Sequence, residues 1–323
     1  MRLTQKLSTF GLAASASLLL TSASFAAPYP THPVRIIVGF TAGGPTDVPA
    51  RFVASKLSAS LGKRVIVEDK PGAGSMLAAR TVMEQPADGY TLLACTYFDP
   101  VNTLLYKDPG YKVADIAPVS LLATYDYAIA VPNDSPIKSI SDLVSYAKKN
   151  PGKLTYGLLG VGSTQNLLAK RLETLEKIQM RGIPYQGAAN AVQDVMAGRL
   201  GMYAGPPVSI VPLYKAKKLR ILAVTGKKRL SAAPSVPTLL ESHIPIDAFG
   251  WIGLCARSGT PKSIIDLLNS KVVKIVKSAG FQSLITKSGS IPAPTTPAQM
   301  QTVIDQTVKD NAPLIAKFHL QMK

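Results

Sequence analysis

The sequence predicts a two-lobed α/β protein in which each lobe is a mostly parallel sheet flanked by helices. Three observations carry this. A unit made of a short apolar run, a Gly-rich break and a helical pattern opens the chain at residues 35–62 and returns at 64–84, 154–175 and 180–198. The chain has 323 residues, of which 297 remain after a 26-residue leader, more than one hydrophobic core usually serves. Leu121 to Val131 is long for one strand and contains Asp126, so it reads as a strand crossing between lobes. The resulting division is 27–124 plus 249–323 for lobe 1 and 125–248 for lobe 2.

Arg2 and Lys6 form a positive start, Phe10 to Leu20 an apolar stretch, and Ser24-Phe25-Ala26 a small-x-small cleavage site, the pattern of a secretory signal cut after Ala26. No Cys follows the cut, which argues against lipoprotein processing, and no later apolar stretch is long enough to span a bilayer. The remainder is expected to be exported, soluble and monomeric.

In the first unit, Arg35-Ile36-Ile37-Val38-Gly39-Phe40 is a strand and Thr41-Ala42-Gly43-Gly44-Pro45 a loop. A helix then begins at Thr46-Asp47, with Val48, Phe52, Leu57 and Leu61 on one face, Thr46 as N-cap and Gly62 as stop. Such a loop points backbone N–H groups outward at the positive end of a helix dipole, a place to hold an anion. Arg64 to Glu68 is the second strand, Asp69 to Gly74 its loop, and Ser75 to Glu84 a helix; Tyr90 to Ala94 is a third strand and Thr96 to Asn102 a loop beyond its end. Loops outside the carboxyl ends of parallel strands are where such folds bind ligands.

Past the crossing strand, Ser139 to Lys149 reads as a helix. Leu154 to Gly157 is a strand with a Gly-rich loop to Ser163, and Thr164 caps a helix carrying Leu167, Leu168, Leu172 and Leu175. Met180 to Ile183 is a strand, Pro184-Tyr185-Gln186-Gly187 its loop, and Ala188 to Ala197 a helix. Leu200 to Tyr203, Arg220 to Val224 and Trp251 to Ala256 are further strands. Pro261 to Ala279 reads as one long helix, and a last helix from Pro294 to Lys317 packs on the first lobe.

The formal charge is +17, or +15 without Arg2 and Lys6. The basic residues occur as scattered pairs without a basic arm or a nucleic-acid module, so a small anionic ligand fits better than nucleic acid. Cys95 and Cys255 each end an apolar run; export permits a bridge between them, but two buried strand thiols are the expected outcome. Gly72-Ala73-Gly74 and Gly160-Val161-Gly162 begin like dinucleotide loops, but Leu77 and Gln165 stand at the third glycine position. There is no P-loop, no metal-binding His or Cys spacing and no Gly-x-Ser-x-Gly, so neither cofactor nor metal is expected and a binding module is favoured over an enzyme.

Taken together, Pro33-Val34-Arg35-Ile36-Ile37-Val38, Phe40 to Asp47, Pro71-Gly72-Ala73-Gly74, Asp88-Gly89-Tyr90-Thr91-Leu92, Gly160 to Thr164, Pro184-Tyr185-Gln186-Gly187, Ala197-Gly198-Arg199, Leu219 to Thr225, Val236-Pro237-Thr238 and Gly259-Thr260-Pro261 resemble the Bug receptors over essentially the whole mature chain. These are the extracytoplasmic solute-binding proteins of tripartite tricarboxylate transporters. The resemblance implies a periplasmic-binding-protein fold, type II-like, with two crossing strands as hinge. It also implies a periplasmic receptor that delivers a small carboxylate to membrane permease subunits. An enzyme on the same fold and a periplasmic sensor co-receptor are the alternatives. The ligand-contact candidates are Phe40, Thr41, Ala42, Gly43, Gly44, Asp47, Thr96, Tyr97, Asn102, Gly162, Ser163, Thr164, Tyr185 and Gly187. The chain departs from the family pattern at Asp69, Tyr97-Phe98-Asp99-Pro100, Asp126 and Asn166; Asp99 or Asp126, if it faced the cleft, would favour a ligand that also carries a cation.

The leader reading predicts a mature N-terminus at Ala27. Mass spectrometry of protein recovered from a periplasmic fraction checks it, and a product that keeps Phe10 to Leu20 contradicts it.

Overall fold

A computed structural model describes residues 29–287 and 289–322; the leader lies outside them. The chain runs β1 (Val34–Val38), α1 (Asp47–Leu61), β2 (Val65–Asp69), α2 (Met76–Met83), β3 (Thr91–Ala94), α3 (Phe98–Leu105), β4 (Ile116–Asp126) and β5 (Ala128–Pro132). It continues through α4 (Ile140–Lys149), β6 (Thr155–Leu158), α5 (Thr164–Glu176), β7 (Arg181–Pro184), α6 (Ala188–Met196), β8 (Tyr203–Gly205), α7 (Pro207–Lys215) and β9 (Leu219–Val224). It ends with β10 (Phe249–Arg257), α8 (Lys262–Val276), α9 (Ala279–Thr286), β11 (Ile291–Pro292) and α10 (Pro297–Lys317).

One sheet has the order β11-β4-β10-β3-β1-β2, while β8-β5-β9 and β6-β7 form a second group joined by a bridge between Tyr156 and Met202. The sheets are mixed, which corrects the expectation of mostly parallel ones. β1 is parallel to β2 and β3, but β10 is antiparallel to both β3 and β4, and β5 is antiparallel to β8 and β9. The reason lies in the crossing strands: β4 carries the chain out of the first sheet and β10 brings it back, so the two run in opposite directions side by side.

Sequence periodicity explains how the first sheet is covered. Along β1, Ile36 and Val38 pack with Ala50, Val53 and Leu57 of α1, while Ile37 packs on the other face with Ala79 and Val82 of α2. Burial on both faces makes β1 a continuous apolar run instead of an alternating one. In the second group, Leu143 and Ala147 of α4 and Leu168 and Leu172 of α5 cover Ile129, Val131 and Tyr156.

Several local readings change. Thr96 to Asn102 is not a loop: α3 starts at Phe98, with Pro100 in its first turn, where a missing N–H costs nothing. For the same reason Pro206-Pro207 can begin α7, a helix not identified from the sequence. The helix read from Pro261 to Ala279 is α8, which ends at Val276, and a further helix absent from the sequence reading, α9, starts where the Ser278 hydroxyl accepts the Phe281 N–H. Gly62 ends α1 in a left-handed conformation as expected, but Thr46 makes no cap bond. Ser163, not Thr164, caps α5, its hydroxyl accepting the Asn166 N–H.

The expectation of two free thiols is also overturned. Cys255 faces Leu93 across the β10–β3 ladder, which brings its Cα within 5.8 Å of that of Cys95, and the two are bridged. Neighbouring strands supplied a proximity that a separation of 160 residues concealed. A closed loop of that length restricts the unfolded chain, so replacing both cysteines by Ala is expected to cost about 2–5 kcal/mol. Urea unfolding measures the change, and a midpoint equal to that of the parent would show that the bridge does not form.

Candidate functional site

A cavity of ≈20 Å³ lies between the two sheet groups, and helix starts from both sides face it. Pro45 and Thr46 precede α1, Thr96 and Phe98 open α3, Gln165 is in the first turn of α5, Ala188 begins α6 and Pro206 precedes α7. Each helix start carries the positive end of a dipole, and those of α1, α5 and α6 also leave backbone N–H groups without intrahelical partners. At α7 Pro206 and Pro207 have no N–H, and at α3 the Tyr97, Phe98 and Asp99 N–H groups are bonded to the Trp251 carbonyl, the Thr96 hydroxyl and the Thr96 carbonyl. Phe40, Thr41, Gly44, Tyr125, Tyr127 and Leu159 complete the lining. No Lys, Arg, Asp or Glu side chain is among these residues.

Two hydroxyls and one amide oxygen in this lining are buried without hydrogen bonds: Thr41 Oγ1, Tyr127 OH and Gln165 Oε1. The Gln165 amide donates through Nε2 to the Tyr203 hydroxyl at 3.2 Å. Burial pushes the Tyr127 phenol up to about 12, so it stays a neutral donor. Buried polar groups normally find partners, so these three mark a surface suited to a polar guest.

Of the residues predicted from sequence, Phe40, Thr41, Gly44 and Thr96 line the cavity; the others surround it. Ala42 and Gly43 are exposed at the rim. Asp47 is buried and serves its own loop, accepting the Gly43 N–H at 2.7 Å and pairing with Arg51 Nε at 2.7 Å, while Arg51 also holds Asp69. Asn102 donates to the Gly74 carbonyl at 2.8 Å, and the Tyr185 hydroxyl donates to Asp194 at 2.7 Å. Ser163 is occupied as the α5 cap. Tyr97 donates to Asn311 Oδ1 at 2.5 Å, and the Thr164 hydroxyl lies beside those of Tyr97 and Tyr127 without a well-aligned bond to either.

At Gly187 and Gly162 the missing side chain matters for packing. A Cβ on Gly187 would stand 2.2 Å from Thr41 Oγ1, and one on Gly162 would stand 2.1 Å from Leu105 Cδ1. Both glycines let the two halves of the molecule approach each other.

Sequence reasoning missed Tyr125, Tyr127, Gln165, Ala188 and Pro206 as lining residues. The first two carried a usable signal, since tyrosines two apart on a strand share a face; their rings meet edge to face at 5.4 Å.

Asp126 and Asp99 are not in the lining. Asp126 is half-buried beside Gly226, and its pKa is raised by burial and by Asp247. Asp99 is fully buried under the cavity, with Oδ2 accepting the Thr96 N–H at 2.6 Å and the Thr96 hydroxyl at 3.2 Å. Burial outweighs these bonds and pushes its pKa up to about 7. A carboxyl that is harder to ionise when folded holds more protons in the native state than in the unfolded one, so its contribution is complete at acid pH and is lost as pH rises toward 7. Asp99→Asn is therefore expected to flatten the decline in urea midpoint between about pH 4 and 7, the window set by its unfolded and folded values. A variant whose pH profile runs parallel to that of the parent would contradict this.

Comparison with known proteins agrees with this geometry. The family described as "Tripartite tricarboxylate transporter family receptor" matches residues 49–320. A Cupriavidus necator protein described as "UPF0065 protein in gbd 5'region" is 36% identical over 295 residues, covering 90% of this chain and 89% of the relative. The solved periplasmic binding protein BugD superposes with a TM-score of 0.87 at 29% identity, over 91% of this chain and 100% of that one. An R. palustris protein solved with adipate has a TM-score of 0.84 at 32% identity, over 89% of this chain and 97% of that one. The family and these structural neighbours are binding proteins, and with its two-lobed α/β fold and anion-suited cavity this chain belongs to the tripartite tricarboxylate transporter family of receptors, the Bug receptors.

Proposed function

We propose that this receptor works in the periplasm as a monomer, after loss of residues 1–26, and captures a small dicarboxylate between lobe 1 (27–124 plus 249–323) and lobe 2 (125–248). It then presents the ligand to membrane permease subunits and does no chemistry on it. The observation that carries this reading is the convergence of five helix starts on a lining without a charged side chain. Backbone N–H groups, the Thr41 and Tyr127 hydroxyls and the Gln165 amide hold the carboxylates, in the manner of anions at helix N-termini. The relative solved with adipate supports the ligand class.

The remaining predicted residues support these contacts. Asp47 and Arg51 fix the 41–47 loop, Asn102 ties α3 to the loop before α2, and Ser163 caps α5. At ≈20 Å³ the cavity has room for about one water, so a four- to six-carbon diacid needs the lobes to stand further apart. Entry and release then use the two crossovers, as in hinge closure generally.

Calorimetry with succinate, malate and adipate tests the assignment. Thr41→Val removes a hydroxyl with no bond inside the protein, so affinity for the diacid that binds is expected to fall about tenfold or more, the loss of one hydrogen bond to a charged group, with little change in melting temperature. Equal affinity of the variant and the parent would remove Thr41 from the site. Scattering of the saturated and ligand-free protein is expected to differ, and superimposable profiles would contradict closure.

A further inference from the structure

A second cavity, of ≈100 Å³, lies beside the returning crossover between α5 and α10. Its walls are two matching helix faces. Thr164, Leu167, Leu168 and Arg171 recur at i, i+3, i+4 and i+7 on α5; Thr307, Asp310, Asn311 and Leu314 do so on α10. Faces with this spacing ordinarily interdigitate. Here they enclose a space five times that of the cleft cavity.

The polar groups in it are arranged by charge. The Thr164 side chain is 4% exposed, lines the cavity and has no well-aligned hydrogen bond. Arg171 is partly buried and spends two N–H groups on the Asp247 and Pro245 carbonyls, at 3.1 and 3.5 Å. Among the described residues no carboxylate lies within ion-pair distance of it. A guanidinium has five donors, so others remain for a guest. Across the space, Asp310 is exposed at the mouth and accepts from Gln306 through one carboxylate oxygen, at 2.6 Å. Asp247, also in the lining, is engaged with Lys227 at 3.8 Å. Leu167, Leu168 and Leu314 supply the apolar floor, and Phe249, 46% exposed, stands at the mouth.

We propose that this cavity is a second binding site, separate from the cleft, for a small zwitterion with a short apolar side chain. The carboxylate of such a molecule meets Arg171 and the Thr164 hydroxyl, the ammonium meets Asp310, and the side chain rests on the three leucines. A simple anion would gain Arg171 but face Asp310 and Asp247, and a simple cation would face Arg171. The assignment of this site does not rest on which ligand the cleft takes, because the two cavities share no lining residue: Tyr97 and Thr164 line this one and Tyr127 lines the cleft.

The protein carries its own reporter. Trp251 is the single tryptophan, fully buried, and its Nε1–H donates at 3.0 Å to the hydroxyl of Thr307 in the cavity wall. Titration of the mature protein with L-valine is expected to change Trp251 fluorescence saturably. Arg171→Gln and Asp310→Asn are each expected to weaken that titration about tenfold, the loss of one charge-assisted contact, while Thr41→Val in the cleft leaves it unchanged. Absence of a saturable change in the parent protein overturns the proposal. So does a titration lost in Thr41→Val and kept in Arg171→Gln, which would put valine in the cleft.

Discussion

A carboxylate held without an ion pair constrains everything around it, because backbone N–H groups can be aimed only by placing whole helices. Five helices from two halves of the chain begin around one cavity here, so each half supplies part of the site and neither is complete without the other. That arrangement makes the relation between the halves the critical variable. One side chain ties the two crossovers together. The buried Thr225 hydroxyl accepts the Tyr127 N–H, between β4 and β5, and donates to the Ala248 carbonyl, just before β10. One hydroxyl thus joins the outgoing and returning crossovers, and Tyr127 carries the connection into the cleft lining.

Charge is handled by exclusion. The protein is strongly basic, yet its ionic groups near the cleft are spent on structure: Arg51 between Asp47 and Asp69, and Arg199 on the same Asp194 that receives Tyr185. These pairs are partly exposed and individually weak, but they hold the segments around the cavity in place. Asp99 shows the same economy from the opposite direction. Buried beneath Thr96, it is pushed toward its neutral form, which limits the repulsion an anion above it would meet.

Much of this was legible in the sequence because the strand-loop-helix unit has a strong local signature. Ile36, Ile37 and Val38, the Gly43-Gly44 break and the Gly62 stop announce β1 and α1 without help from the rest of the fold. What escaped depended on residues distant in sequence or on proline placement. Cys95 and Cys255 meet only because β10 returns beside β3. Pro100 stands in a stretch that reads as a loop and Pro207 in one without an assigned element, although each sits in the first turn of a helix. Thr164 and Gln165 are adjacent, but one helix turns them toward different cavities, and loop position alone does not reveal that rotation. The missing side chains of Gly162 and Gly187 serve close approach of the two halves, a role that their place in Gly-containing loops did not reveal.

The central claim is that backbone amides at the helix starts hold the ligand carboxylates. Amide chemical shifts of the isotope-labelled protein during titration with a dicarboxylate measure this directly. The account predicts large downfield proton shifts, saturating together, at Thr46, Asp47, Gln165 and Ala188. Shifts confined to lysine or arginine side-chain resonances, with those four amides unmoved, would contradict it.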